Sequence, residues 1–160
     1  MLVIPANQPF ETPGIDINAP RVDRKGIELV NPHRGDMVQL DSVVWWNEDI
    51  TKSVGTRIVR DDEFWTTGHI PGRPLYPGVL MIECAAQLSS YTQLLSRKDV
   101  EFLGFTRCDD TAFRGQVVPG DEMVVFADVL SANRRRFVSR VHGFVGEKLI
   151  FETKITGMVM

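Results

Sequence analysis

The sequence predicts an α+β fold in which a curled antiparallel β-sheet wraps around one long apolar helix. Residues 79–95 are apolar on nearly every side of a helix, which is typical of a buried helix rather than a surface one. Much of the remaining chain forms short β-branched or alternating runs separated by closely spaced turn residues, which favours antiparallel neighbours. A chain of 160 residues has room for one such domain.

The first 26 residues are predicted to form an irregular N-terminal arm, and residues 27–160 a single domain. Four prolines fall within the first twenty residues, too many for a helix, and no alternation lasts long enough for a strand. The sequence leaves open whether this arm packs on its own domain, packs on a neighbouring chain, or frays.

Five or six strands and one helix account for the rest of the chain. Residues 37–46 and 51–59 are rich in β-branched and aromatic side chains and flank a turn at Asn47-Glu48-Asp49. The helix follows, opened by Pro77-Gly78. The last third predicts strands over residues 102–105, 122–130, 136–145 and 149–158.

Composition excludes several classes of protein. The net charge of −3 and the pI near 5.6 do not suit a broad nucleic-acid surface. No apolar run approaches the roughly 20 residues that cross a bilayer, and the N-terminus lacks the basic and apolar regions of a secretory signal. Two cysteines without CxxC spacing fit a reducing cytosol and weaken any zinc site. We expect a cytoplasmic protein without a metal or cofactor.

A stiff loop over residues 68–78 is the most informative stretch for chemistry. It contains three prolines and three glycines, and His69 is its one side chain that titrates near neutral pH. The loop leads into the N-terminus of the apolar helix, where free N–H groups at Gly78 and Val79 would stabilise an oxygen becoming negative.

A glutamate lies among apolar residues in the first turns of this helix. Glu83 is costly to bury there unless it is paired or protonated, and Gln87, one turn later, is placed to hydrogen-bond it. With His69 as a base, a protonated carboxyl makes an acid/base pair suited to moving a proton α to a carbonyl.

The run from Gly68 to Gln87 reads GHIPGRPLYPGVLMIECAAQ. It resembles the active-site segment of β-hydroxyacyl-acyl-carrier-protein dehydratases, hot-dog-fold enzymes of type II fatty acid synthesis, through the pattern G-H-x-P-G-x-P-x-x-P-G-x-L-x-x-E-x-x-A-Q. Flanking matches extend the resemblance to about residues 27–158; they are Pro32-His33-Arg34, Asp41, Phe113-Arg114, Val118-Pro119-Gly120-Asp121 and Gly146-Glu147-Lys148-Leu149.

The resemblance implies roles for individual residues. His69 would take the C2 proton of a 3-hydroxyacyl thioester, and Glu83 would protonate or orient the departing C3 hydroxyl. The N–H of Gly78, with that of Val79, would polarise the thioester carbonyl. The product would be a trans-2-enoyl thioester and water, and glutamate at position 83 resembles the plain dehydratases more than the dehydratase/isomerases.

The resemblance also implies partners. Two chains would pair so that the histidine of one faces the glutamate of the other, with the acyl chain in a tunnel at their interface, and three dimers would form a hexamer. The substrate would arrive on an acyl carrier protein. Basic residues that could dock this acidic partner are Arg97, Lys98, Arg114, Arg134, Arg135 and Arg136; for the arginine triplet, a solvated charge cluster at a hairpin tip is the simpler interpretation.

Several positions depart from the family pattern. Ile70 and Thr66 replace aromatic residues, Gly35-Asp36 replaces an aromatic-proline pair, Trp45-Trp46 is unexpected, and Ala112 replaces a basic residue. These changes predict an altered acyl preference, and the last one puts part of the docking patch in doubt. They do not argue against elimination.

Other interpretations stay open. A hot-dog thioesterase and an acyl-binding subunit without turnover are the alternative functions. We expect Gln87 to be a supporting hydrogen-bond partner, Cys84 a core residue, and His33 and His142 structural residues. The tryptophan pair is either a tunnel or interface wall or simply part of the core.

Overall fold

The computed structural model describes residues 2–160 and contains one antiparallel sheet of seven strands around one long helix. The strands are β1 (Val22–Asp23), β2 (Ser42–Trp46), β3 (Lys52–Ile58), β4 (Leu103–Phe113), β5 (Glu122–Ala132), β6 (Arg136–Val145) and β7 (Lys148–Val159). The helices are α1 (Arg24–Glu28) and α2 (Gly78–Ser96), with a 3-10 turn at Gly35–Met37. The predicted α+β architecture is confirmed.

The order of strands in the sheet is β1-β2-β3-β5-β6-β7-β4, so β4 forms one free edge. Helix α2 contacts β3, β5, β6 and β7 from the inner face, with Cys84, Ala85 and Leu88 fully buried. A Cβ on Gly55 of β3 would lie 2.7 Å from Leu40, 3.0 Å from the carbonyl oxygen of Ser42 and 3.2 Å from Leu88, so a larger residue would force these neighbours to shift. Within residues 2–160, no helix is long and apolar enough to span a membrane.

The N-terminal arm covers the outer face of the sheet. Phe10 lies between Trp45 and Phe126, with ring centroids 6.2 and 5.5 Å away. The indole of Trp45 also donates a hydrogen bond to the carbonyl of Pro13. The arm therefore buries a second apolar cluster, separate from the core around α2. Helix α1 spans the arm–domain boundary predicted at residue 26, which stays a prediction.

Two predicted strands have different lengths in the structure. The segment before β2 is not a strand, because the N–H groups of Gln39 and Leu40 donate to the side chain of Gln87 in α2 instead of to a neighbouring strand. β4 extends eight residues beyond the predicted end at residue 105. Its second half is polar and mostly exposed at the sheet edge, so it lacks the apolar alternation that identifies a half-buried strand.

Candidate active site

The connection between β3 and α2 presents His69 on a closed turn. The N–H of His69 donates to the carbonyl of Trp65, the N–H of Leu75 donates to the carbonyl of His69, and Ile70 and Arg73 bond each other's backbones. Gly72 has a φ of +73°, a conformation that glycine adopts without strain. The loop is thus fastened by its own backbone, as its proline and glycine content predicts.

The ring of His69 has a defined orientation. Its Nδ1 lies 2.8 Å from the carbonyl oxygen of Leu75, and a carbonyl can only accept. Nδ1 therefore carries a proton and Nε2 is left as the free basic nitrogen of the neutral ring. His69 is exposed, so Nε2 is available to a ligand or to another chain.

Helix α2 begins at Gly78 beside an exposed phenylalanine. A Cβ at Gly78 would lie 2.8 Å from the ring of Phe113, so this ring approaches the helix N-terminus closely. Among the hydrogen bonds of residues 2–160, none uses the N–H of Gly78 or of Val79, and the Val79 side chain is exposed. Two backbone donors and the positive end of the helix dipole are therefore free at this point.

Glu83 lines a cavity of about 120 Å³ between α2 and the strands β4, β6 and β7. Its carboxyl oxygen Oε1 accepts a hydrogen bond of 2.8 Å from Gln87 and lies 3.2 Å from Nε2 of His33. The rest of the lining is apolar apart from Ser90 and includes Phe105 and Phe137. The hydrogen bond expected between Gln87 and Glu83 is present.

The buried side chain of Gln87 also connects this carboxyl group to the main chain around β2. Its amide nitrogen donates to the carbonyl of Met37 as well as to Glu83, and its carbonyl oxygen accepts from Gln39 and Leu40. All its hydrogen-bonding groups are used, so the amide cannot turn without losing several buried hydrogen bonds. Gln87 therefore fixes Oε1 of Glu83 in place.

A buried arginine beneath the loop was not found from the sequence. Arg57 is fully buried and forms ion pairs with Glu63 and Asp41. Burial lowers its pKa, but the acidic groups of Tyr76, Asp41 and Glu63 outweigh that effect and the pKa is raised. Glu63 also accepts from the indole of Trp65, whose carbonyl holds the backbone of His69.

Cys84 does not have the features of a nucleophile. It is fully buried beside Glu83, and burial raises the pKa of its thiol to about 12. The thiol stays protonated at neutral pH, in keeping with a residue of the core.

One chain does not bring His69 and Glu83 into contact. Within residues 2–160, no hydrogen bond or ion pair joins them, and His69 is absent from the lining of the Glu83 cavity. His69 faces outward from its loop, whereas Glu83 has a side-chain exposure of 19%.

The candidate docking residues separate into two groups. Arg97, at the end of α2, donates hydrogen bonds to the carbonyls of Asn133 and Arg134 in the β5–β6 turn. This contact brings the end of α2 next to the β5–β6 turn. Together they form a basic surface that consists of Arg97, Lys98, Arg134, Arg135 and Arg136. Arg114 follows Phe113, whose ring lies at the N-terminus of α2. The 19-residue helix separates this end from the basic surface by about 28 Å. Arg114 pairs with Glu152.

The remaining candidates have separate surroundings. Trp45 belongs to the outer cluster, and Trp46 packs against Tyr91 with Arg21 over its ring; neither lines the Glu83 cavity. His142 lies 3.8 Å from Glu152 on the sheet and is not among the residues that line that cavity. His33, by contrast, lines the cavity, a placement that its position in a flanking motif did not by itself predict.

Sequence comparisons identify relatives of this chain. The FabA-like domain family matches residues 31–154. A 3-hydroxyacyl-[acyl-carrier-protein] dehydratase FabZ of Neisseria meningitidis is 34% identical over 123 residues, which cover 75% of this chain and 81% of the relative. A bifunctional enzyme LpxC/FabZ of Porphyromonas gingivalis is 32% identical over 98% of this chain, which spans 32% of that longer protein.

Solved structures with the same fold are more distant in sequence. The dehydratase heterocomplex ApeI:P of Xenorhabdus doucetiae superposes with a TM-score of 0.72 at 14% identity, covering 84% of this chain and 90% of that chain. A mutant thioesterase of Pseudomonas aeruginosa superposes with a TM-score of 0.66 at 13% identity, covering 86% and 94%. At these identities the likeness concerns the fold alone.

Proposed function

Because this chain belongs to the FabA-like domain family, we propose that it removes water from 3-hydroxyacyl thioesters of an acyl carrier protein in fatty acid biosynthesis, giving trans-2-enoyl thioesters. The observation that carries the proposal is the apolar cavity with one carboxyl group, Glu83, held through a single oxygen by Gln87 and His33. A carboxyl group positioned in this way is one of the side chains that serve as a general acid.

The reaction needs one base, one acid and a polarised carbonyl. Nε2 of His69 takes the proton from C2, and the electrons of that C–H bond form the C2=C3 double bond. The C3–O bond breaks as Glu83 gives its proton to the hydroxyl, which leaves as water. The free N–H groups of Gly78 and Val79 bind the thioester oxygen, whose negative charge increases during proton removal.

We propose that two chains share each active site. His69 on one chain would meet Glu83 of another, since the two groups lie apart within one chain. The free edge strand β4 offers a suitable contact, because it carries exposed Phe105 and Phe113 and borders both the cavity and the helix N-terminus. Three such dimers would give a hexamer, and light scattering distinguishes two from six copies of the 18.1-kDa chain.

The acidic carrier protein would dock on the basic surface at the end of α2. This surface adjoins Phe137, which follows Arg136 on β6 and lines the cavity. Changing Arg134 and Arg135 to Glu would raise KM for carrier-bound substrate several-fold and leave turnover of a CoA thioester unchanged. Equal effects on both substrates would refute docking here.

We also propose that the protein acts in the cytoplasm, which both free cysteines support.

Turnover by the purified protein tests the proposed function. With 3-hydroxyacyl thioesters of several chain lengths, we expect enoyl absorbance to rise, with a bell-shaped pH dependence of kcat/KM. His69→Ala should remove this activity, while Arg73→Ala, in the same loop, serves as a folding control. Release of free thiol without enoyl product would indicate a thioesterase, and binding without turnover would indicate an acyl-binding subunit; either result would refute the proposal.

A further inference from the structure

The cavity around Glu83 contains a second titratable side chain. Among the residues that line it, only His33 and Glu83 have ionisable side chains, and their nearest atoms are 3.2 Å apart. The lining residues that β4, β6 and β7 contribute carry no charge. Two other titratable groups lie nearby. The thiol of Cys84 stays protonated, and the guanidinium of Arg34 bonds the carbonyls of Glu28, Asn31 and His33.

His33 is fastened to the same helix that carries Glu83. The side chain of Asn31 donates a hydrogen bond of 2.9 Å to the carbonyl of Gln87 in α2. The guanidinium of Arg34 donates hydrogen bonds to the carbonyls of Asn31 and His33. The imidazole is therefore placed beside Glu83 before any substrate binds, instead of being drawn in by it.

The surroundings of His33 select one protonation state. Its Nδ1 is buried and has no hydrogen-bond partner among residues 2–160. A buried N–H without an acceptor is costly, which disfavours the tautomer that carries its proton on Nδ1. The other tautomer carries its proton on Nε2, the nitrogen that faces Glu83.

Two side chains thus converge on one oxygen of Glu83. Gln87 donates a hydrogen bond to Oε1 and Nε2 of His33 lies 3.2 Å from the same oxygen, whereas Oε2 has no partner among the described residues. This arrangement orients the carboxyl group through Oε1 alone.

We propose that His33 is a positioning residue for the acid: its Nε2–H binds Oε1 of Glu83 and leaves Oε2 to face the departing hydroxyl. The proposal rests on the proposed function, because it assigns a role in that reaction. It differs from the sequence-based expectation that His33 is only structural.

Two substitutions at one position separate this role from a structural one. His33→Leu removes the donor, so we expect kcat to fall about 10-fold to 100-fold with little change in KM. His33→Gln keeps a neutral N–H donor at a similar reach and should recover most of kcat.

His142→Gln is the matched control. This second half-buried histidine also lies beside a glutamate but does not line the cavity, so its replacement should leave kcat and the pH profile unchanged. Thermal unfolding of each variant reports whether it is folded. If folded His33→Leu retains full kcat, or if His33→Gln is as impaired as His33→Leu, the proposal is wrong.

The failure of this proposal is distinguishable from failure of the proposed function. An inactive Glu83→Gln variant beside a fully active His33→Leu variant would remove His33 from the mechanism and leave the dehydratase assignment intact. If Glu83→Gln itself keeps full activity, the assigned acid is wrong, and the role of His33 is refuted with it.

Discussion

Glu63 and Glu83 are two partly buried glutamates with different partners. Glu63 faces the buried guanidinium of Arg57, together with neutral donors from Trp65 and the backbone of Arg60. Among residues 2–160, the partners of Glu83 are the amide of Gln87 and the imidazole of His33. A carboxylate paired with a buried guanidinium supports structure, because its removal leaves an uncompensated buried charge, whereas a carboxyl group that lines a cavity can meet a bound substrate.

The largest expected effect separates activity from stability at Glu83. Glu83→Gln keeps the size and hydrogen-bonding reach of the side chain but has no acidic proton to give. We expect kcat to fall roughly 10²-fold to 10⁴-fold, while the melting temperature stays close to that of the unaltered protein. Steady-state turnover and calorimetry measure the two quantities. A large loss of stability with this variant would erase the contrast with Glu63.

Glu63→Gln should show the opposite behaviour. It removes a negative charge from beside a fully buried guanidinium, and breaking such a pair costs about 3–5 kcal/mol in the free energy of unfolding. Asp41 remains as a second partner of Arg57 and would limit the loss. Urea unfolding measures the change, with Asp62→Asn as an exposed control. An unchanged unfolding free energy would contradict a stabilising role for this ion pair.

Gln87→Leu tests the surroundings of Glu83, and its expected effect is smaller. The variant loses a donor to Glu83 and leaves the N–H groups of Gln39 and Leu40 without their acceptor. We expect about 1–3 kcal/mol of destabilisation and roughly a 10-fold lower kcat in the folded fraction. Gln93→Leu, a buried glutamine two turns away without a bond to Glu83, is the control. If both variants lose equal activity, Gln87 has no particular role at the site.

The smallest expected effect concerns His142 and its dependence on pH. Burial lowers the pKa of this histidine in the folded protein, with Glu152 opposing the shift. The unfolded chain therefore binds the proton first, and stability should fall as the pH drops below about 6.5. His142→Gln should flatten the stability curve over that range. A curve as steep as that of the unaltered protein would exclude His142 as its cause.

The sequence could predict the features that depend on local patterns. The apolar helix extends one residue beyond its predicted range at each end, and the turn at Asn47 lies where the sequence predicts it. The loop of His69 and the Gln87–Glu83 bond follow from proline spacing and from helical periodicity. Each of these features involves residues close together in the chain.

Other features depend on contacts between distant segments. The polar half of β4 is a strand because β7 pairs with it at the sheet edge, not because its own residues alternate. The arm is ordered against Trp45 and Phe126, two residues that its own sequence does not indicate. Arg57 is buried because Glu63 and Asp41 reach it from other segments.

By itself the sequence predicted which residues carry acid–base chemistry, since a stiff loop, a helix start and a glutamate at fixed spacing are local properties of the chain. Only the tertiary structure decided which glutamate pairs with a buried cation and which one lines a cavity. That difference depends on what surrounds each group, because Glu63 and Glu83 are the same residue type and are distinguished by the guanidinium of Arg57 beside one and by Gln87 and His33 beside the other.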